Sequence, residues 1–271
     1  MGAKRLMPVQ MTSVPSSTVC EGHEWNITDE DRLAALVADL LLGSHRHVSK
    51  ILRALESKKT MSSDQQIDDL VELLNDVPDI KLPHTEQYKR YARDGWLFQM
   101  ISWIAIRKMS PNALTAIPHT QPTAKGFDNL IVEVENGHLV GVIVGEDKAT
   151  ENPRSTVRNL VWPEIKEMEA GHSDSALKSE VTAIVERGGF GEEVDRMLKQ
   201  VFWEKLRKYR VAVAGPITTH NKVFKEFHMK APGDVTRRHG EVLNLKKLRE
   251  WFDEFSQKVI VALENRRGAD V

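Results

Sequence analysis

"GFDNLIVEVENGHLVGVIVGEDKAT", residues 126–150, holds an acid, an apolar run, a turn, a second apolar run and then Glu-Asp-Lys. Val, Ile and Leu dominate 127–134 and 139–144, and Glu135-Asn136-Gly137 between them signals a hairpin, so two antiparallel strands are expected. Side chains alternate faces along a strand, so the length of the turn decides which residues share a face. A two-residue Asn136-Gly137 loop pairs Glu135 with His138, sets Asp128 opposite Gly145 and sends Glu146 to the other face. A three-residue loop, with Gly137 left-handed in a G1 bulge, pairs Val134 with His138 and places Asp128, Glu146 and Lys148 together. Their face then carries Leu130, Val132, Val134, Val140, Val142 and Val144, while Asn129, Glu133, Glu135 and Asp147 fall on the opposite, outer side. Burial of that apolar stripe favours the three-residue loop.

Around this hairpin the chain reads as a globular protein. Its 271 residues are 41% hydrophobic, enough for one large domain or two small ones. Lys and Arg number 38 against 39 Asp and Glu, so any nucleic-acid contact would rest on local patches rather than net charge. The single cysteine, Cys20, excludes an intramolecular disulfide framework, and with no Cys pair the usual thiolate zinc sites have no ligands. That points to a reducing compartment, the cytoplasm. No apolar run approaches the length of a membrane span and no secretory leader is visible, so no membrane partner is expected.

Residues 1–25 are rich in Pro, Ser and Thr without a period and read as a flexible tail. Residues 26–84 read as a helical region of three helices. The first, over 26–43, is capped by Thr28 or Asp29 and stopped by Gly43, and the others cover 45–59 and 63–77. A long helix over 85–110 is apolar nearly all round in its second half, which predicts burial. Beyond the hairpin come a mostly helical stretch broken at Pro163, an amphipathic helix over 190–209, a strand over 210–218 and a closing helix over 244–266. The order predicts an α+β (mixed α/β) fold.

Two carboxylates held a few ångströms apart repel unless a positive charge lies between them, and a hard divalent cation with oxygen ligands suits that place. A lysine two residues beyond one of them, on the same face, is placed to orient or deprotonate an attacking water and to offset charge on a phosphate. That combination is the layout of a phosphodiesterase. Asp128, followed by Glu146-Asp147-Lys148 at the end of the next strand, after one helix and before another, resembles the core of the PD-(D/E)XK nuclease superfamily. Gly126-Phe127-Asp128 stands where the family has its Pro-Asp, and the resemblance covers residues 85–217.

The resemblance implies a restriction-endonuclease-like core with a central mixed sheet flanked by helices, and residues 218–271 packed on it as a loop and helix. It implies Mg²⁺ or Mn²⁺ held by Asp128 and Glu146, with Lys148 assisting the hydrolytic water. Members of the family also bring an acid from the upstream helix, for which Glu86 and Asp94 are the candidates. More narrowly, the N-terminal helical region with "RDGWLFQMISWIA", "KGFD" and "GEDK" is similar to the HamA nucleases of Hachiman anti-phage defence. That similarity implies a DNase controlled by a helicase partner. The competing expectation is a non-catalytic regulatory or interaction protein on the same fold, and an RNase or a nickase would share the phosphate chemistry.

Arg154 and Arg158, at the start of the helix after the cluster, are the candidate phosphate contacts. Further basic residues gather at 205–210 and 236–239, with Lys246 and Lys247 following. The Trp residues fall on apolar helical faces and are expected in the core. No phosphate-binding GxxxxGK[ST] loop or GxSxG elbow is present, so ATPase and serine hydrolase chemistry have no foothold.

Overall fold

The computed structural model describes residues 8–15, 18–55, 63–75, 86–119, 121–122, 126–136, 138–190 and 206–268. Strands β4 (Asn129–Glu135) and β5 (His138–Ala149) form where Val, Ile and Leu are densest, and they pair antiparallel. β5 runs on into the middle of the sheet, parallel to β6 (Arg207–Gly215), which is parallel to β7 (Arg238–Asn244). β7 is parallel to β2 (Glu21–Ile27), and β2 pairs antiparallel with β1 (Val9–Ser13). β3 (Leu114–Thr115) borders β4 at the far edge, giving the order β1-β2-β7-β6-β5-β4-β3. The fold is α+β with a mixed central sheet.

Helices cover both faces. Against one face pack α1 (Glu30–Leu55), α2 (Ser63–Asn75), α3 (Glu86–Met109) and the C-terminal helix α9 (Leu248–Glu264), all contributing to one apolar core. Asp29 caps α1 by accepting the N–H of Arg32 at 2.9 Å. The second half of α3 is buried as its composition requires: Trp96, Leu97, Phe98, Met100, Ile101 and Ala105 are at most 2% exposed. Each such side chain contributes roughly 1.5–3 kcal/mol of transfer free energy.

The other face is covered by α4 (Pro153–Thr156), a π-helical turn (Val157–Val161), α5 (Trp162–Glu169), α6 (Asp174–Arg187), α7 (His220–Val223) and α8 (Phe227–Lys230). Val132, Val142, Val144, Val211 and Val213 look into this second core, where Trp162 stacks on Phe227 with ring centroids 4.8 Å apart. Among the described residues no helix is long and apolar enough to cross a membrane.

Several elements depart from the sequence reading. Residues expected as a flexible tail form β1 and β2, with Val9 and Trp25 buried. Their sequences, VQMTS and EGHEWNI, are too polar to announce strands, and tertiary pairing overrides that composition. Gly43 does not stop the first helix: α1 runs unbroken from Glu30 to Leu55, because a helical glycine costs only about 1 kcal/mol and Leu41 and Leu42 are anchored in the core. Pro163 does not break its helix either. The N–H of Trp162 reaches back five residues to the carbonyl of Val157, and the wider π turn accommodates the proline that follows.

The strand expected from 210 begins at Arg207, so the helix expected over 190–209 does not include 207–209; its residues 191–205 lie outside the described ones. The last 54 residues hold more than a loop and helix, since β7 lies between β2 and β6 near the centre of the sheet. Arg238, His239 and Glu241 hide β7 from any hydrophobic pattern.

Candidate metal centre

The hairpin turn differs from expectation, yet the expected cluster forms. Glu135 pairs with His138, so the loop is the two-residue one, and Asn136 takes a left-handed φ of 49° that suits it. Val134 then pairs with Leu139, but Glu133 pairs with Gly141, leaving Val140 as the extra residue of a β-bulge. The register beyond the bulge pairs Asn129 with Gly145, which sets Asp128 against Glu146. Leu139 takes the place expected for Val140 in the stripe under the cluster, and Val140 is only half-buried. The opposite face meets solvent near the turn, where Glu133 is half-buried and Glu135 exposed. Around Asn129 and Asp147, 3% and 5% exposed, α3 covers it.

The three residues meet as a carboxylate–ammonium–carboxylate group. Lys148 Nζ lies 2.8 Å from Glu146 Oε2 and 3.7 Å from Asp128 Oδ2. Burial first, and then the charge of Asp128, push the Glu146 carboxyl up to about 8. Burial opposes the charge on Lys148, but Glu146 and Asp128 outweigh it and hold the ammonium above the usual lysine range. Asp128 is fixed at both oxygens: Oδ1 accepts Gln99 Nε2 at 2.5 Å, and Oδ2 accepts the backbone N–H of Asp147 at 2.9 Å.

Beneath the cluster, on the α3 face, lies a buried polar network. Asp147 Oδ1 accepts Ser102 Oγ at 2.8 Å and Arg210 Nη1 at 3.3 Å, and Asn129 Nδ2 donates to Oδ2. Arg210 makes a bidentate pair with Glu241 at 3.0 and 2.7 Å, and Trp25 Nε1 donates to Glu241 at 3.0 Å. Burial pushes Asp147 up to about 7, against the lowering effect of the Arg210 guanidinium. Removing Arg210 would leave two buried carboxyls without their cation, at a cost of about 3–5 kcal/mol.

The other candidates go elsewhere. Asp94 is fully buried and held by Arg93 Nη2 at 2.8 Å and Arg249 Nη1 at 2.6 Å, so it closes α3 against α9. Five residues before Gln99, it points about 140° away around the helix. Glu86 begins α3, thirteen residues or about 20 Å along the helix before Gln99, and its side chain lies outside the described ones. Arg154 is engaged with Glu226 at 2.9 Å and the Lys225 carbonyl at 2.7 Å, whereas Arg158 is exposed and donates to Asn159 at 3.1 Å.

Most of the expected basic patches are consumed by structure: Arg207 by Asp174, Lys208 by Glu133, Arg237 by Glu169 and Lys247 by Glu250. Arg238 donates to the carbonyls of Val19, Ala231 and Gly233, and Lys205 lies outside the described residues.

Two site residues escape the sequence reading. Gln99 is a polar residue inside the apolar run Trp96 to Trp103, a signal that was legible. Glu164, exposed on α5, lies close enough for its charge to raise both Glu146 and Lys148.

The donor set fits a hard divalent cation. Asp128 and Glu146 present oxygens on one face, and the positive charge now between them is the Lys148 side chain. Among the described residues, no group of three or more His, Cys, Asp or Glu side chains converges as a metal cage, so water and substrate oxygens would complete the shell, as is usual for Mg²⁺. No family model matches the chain, and no curated protein matches it significantly.

Proposed function

We propose that the chain is a metal-dependent nuclease of the PD-(D/E)XK type that hydrolyses phosphodiester bonds in DNA. The observation that carries this reading is the β-bulge at Val140, which brings Asp128 and Glu146 together beside Lys148 despite a two-residue turn. Asp128 and Glu146 would hold Mg²⁺ or Mn²⁺, which when bound supplies charge stabilisation to the phosphate and acidifies a water. Gln99 and the Asp147 N–H orient Asp128. Lys148, kept as an ammonium, donates hydrogen bonds towards the water or a phosphate oxygen. The similarity to HamA nucleases extends the proposal to anti-phage defence with a helicase partner, docked on helices outside the core. Incubation with plasmid DNA, with and without Mg²⁺, tests the activity: cleavage that needs the metal and Glu146 supports it.

The 2.8 Å Lys148–Glu146 contact favours a second reading, a self-neutralised cluster in a non-catalytic interaction or regulatory protein. Calorimetric titration with Mg²⁺ separates the two, since that reading requires no divalent binding at Asp128 and Glu146.

A further inference from the structure

The helix that leaves β5 runs through α4, the π turn and α5, starting at Pro153, five residues after Lys148. It grips the α7–α8 turn from two positions. Arg154 Nη1 donates to the Lys225 carbonyl at 2.7 Å, and Trp162 Nε1 donates to the same carbonyl at 3.3 Å. Arg158 stands midway between those two positions in sequence, on the same helical run. Glu226 adopts a left-handed φ of 78°, a conformation that costs a non-glycine residue roughly 1 kcal/mol or more. Its carboxylate is held by Arg154 at 2.9 Å. The turn thereby faces the Lys225 carbonyl to the helix while the Lys225 side chain is exposed. Lys222 lines the adjoining cleft with Arg154, Ser155 and Thr218.

Arg158, Lys222 and Lys225 are exposed, and none makes an ion pair among the described residues. They differ in this from Arg207, Lys208, Arg210 and Arg237, all of which are ion-paired. The acids around them are Glu226, taken by Arg154, Glu151 on the cleft, and Glu164 nearer the cluster. Two large apolar side chains, Leu160 at 54% and Met229 at 66% exposure, sit on the same pair of elements. Exposed cations with no carboxylate partner suit a ligand with a phosphate backbone.

We propose that Arg158, Lys222 and Lys225 form the phosphate-contacting surface over which a nucleic-acid strand reaches Asp128, Glu146 and Lys148. This rests on the nuclease reading for its purpose, but its test does not need cleavage. Binding of a short fluorescent oligonucleotide, single-stranded and duplex, is measured in EDTA at several salt concentrations. The proteins compared are wild type, the triple variant Arg158→Ala/Lys222→Ala/Lys225→Ala, and a control variant Arg187→Ala on the exposed end of α6. The triple variant should bind tenfold or more weakly, with a log K against log salt slope shallower by roughly 2–3, at about 0.7–0.9 per lost phosphate contact. The control should bind as wild type, and Mg²⁺ binding by the triple variant should be unchanged. Equal binding by wild type and triple variant, or no binding by wild type, overturns the surface. Salt-sensitive binding that the triple variant loses, in a protein that cleaves nothing, upholds the surface and sinks only the catalytic reading.

Discussion

Asp147 donates its backbone N–H to Asp128 Oδ2 at 2.9 Å while its own carboxylate, on the opposite face of β5, is bound by Ser102 and Arg210. One residue thus ties the half-buried Asp128 of the cluster to the buried network under α3. Gln99 holds the second oxygen of Asp128 from α3 itself. Gln99→Ala should therefore leave the fold intact but weaken Mg²⁺ binding about 10–100-fold, the usual penalty for losing a group that orients a ligand. Calorimetry reads this directly, and an unchanged affinity would show that Asp128 needs no support from α3.

Register supplies a second expectation. Deleting Val140 removes the bulge but leaves Glu133 opposite Gly141 and Asp128 opposite Glu146, so cleavage should survive in the deletion variant. Inserting one alanine between Val142 and Ile143 turns Glu146 to the α3 face and should abolish cleavage. Cleavage assays on the pair decide it, and equal activity in both would refute the parity argument.

Asp94 is assigned to structure rather than chemistry. Asp94→Asn leaves Arg249 without its carboxylate partner and Arg93 with Asp253 alone, and should cost about 3 kcal/mol in denaturant unfolding. The folded fraction should cleave at the wild-type rate. A variant of normal stability that is catalytically dead would return Asp94 to the active site.

Cys20 gives the clearest pH dependence. Burial pushes its thiol from 9.0 up to about 12, against the lowering effects of Arg238 and the Gly240 backbone. The folded value is the higher one, so the unfolded chain loses this proton first. The contribution to stability is complete below about pH 9 and is lost as pH rises towards 12. Alkylation should be negligible in the folded protein at pH 8, and the alkaline loss of stability should be smaller in Cys20→Ala. Rapid labelling at pH 8 would contradict the burial.

These expectations show what was legible in the chain. The hairpin and the buried half of α3 follow from apolar patterning, whereas the shared face of Asp128, Glu146 and Lys148 was expected from a three-residue turn that does not form. Parity came out correct by another device, because a turn can be counted from sequence whereas a bulge is set by cross-strand packing. β2 and β7 were not legible, since Trp25, Arg238 and Glu241 meet their partners only across the assembled sheet. The continuous helix around Pro163 was not legible either, because the proline reads locally as a helix break and only the π turn accommodates it.

The central claim is that Asp128, Glu146 and Lys148 form a metal-dependent hydrolytic site. The most direct measurement is plasmid cleavage by wild type and by Glu146→Ala, each with Mg²⁺ and with EDTA, alongside thermal melts. The account predicts cleavage by wild type with Mg²⁺ only, and none by Glu146→Ala, whose melt stays cooperative because it loses a carboxylate that burial already disfavours. Cleavage by Glu146→Ala at the wild-type rate, or by wild type in EDTA, would contradict it.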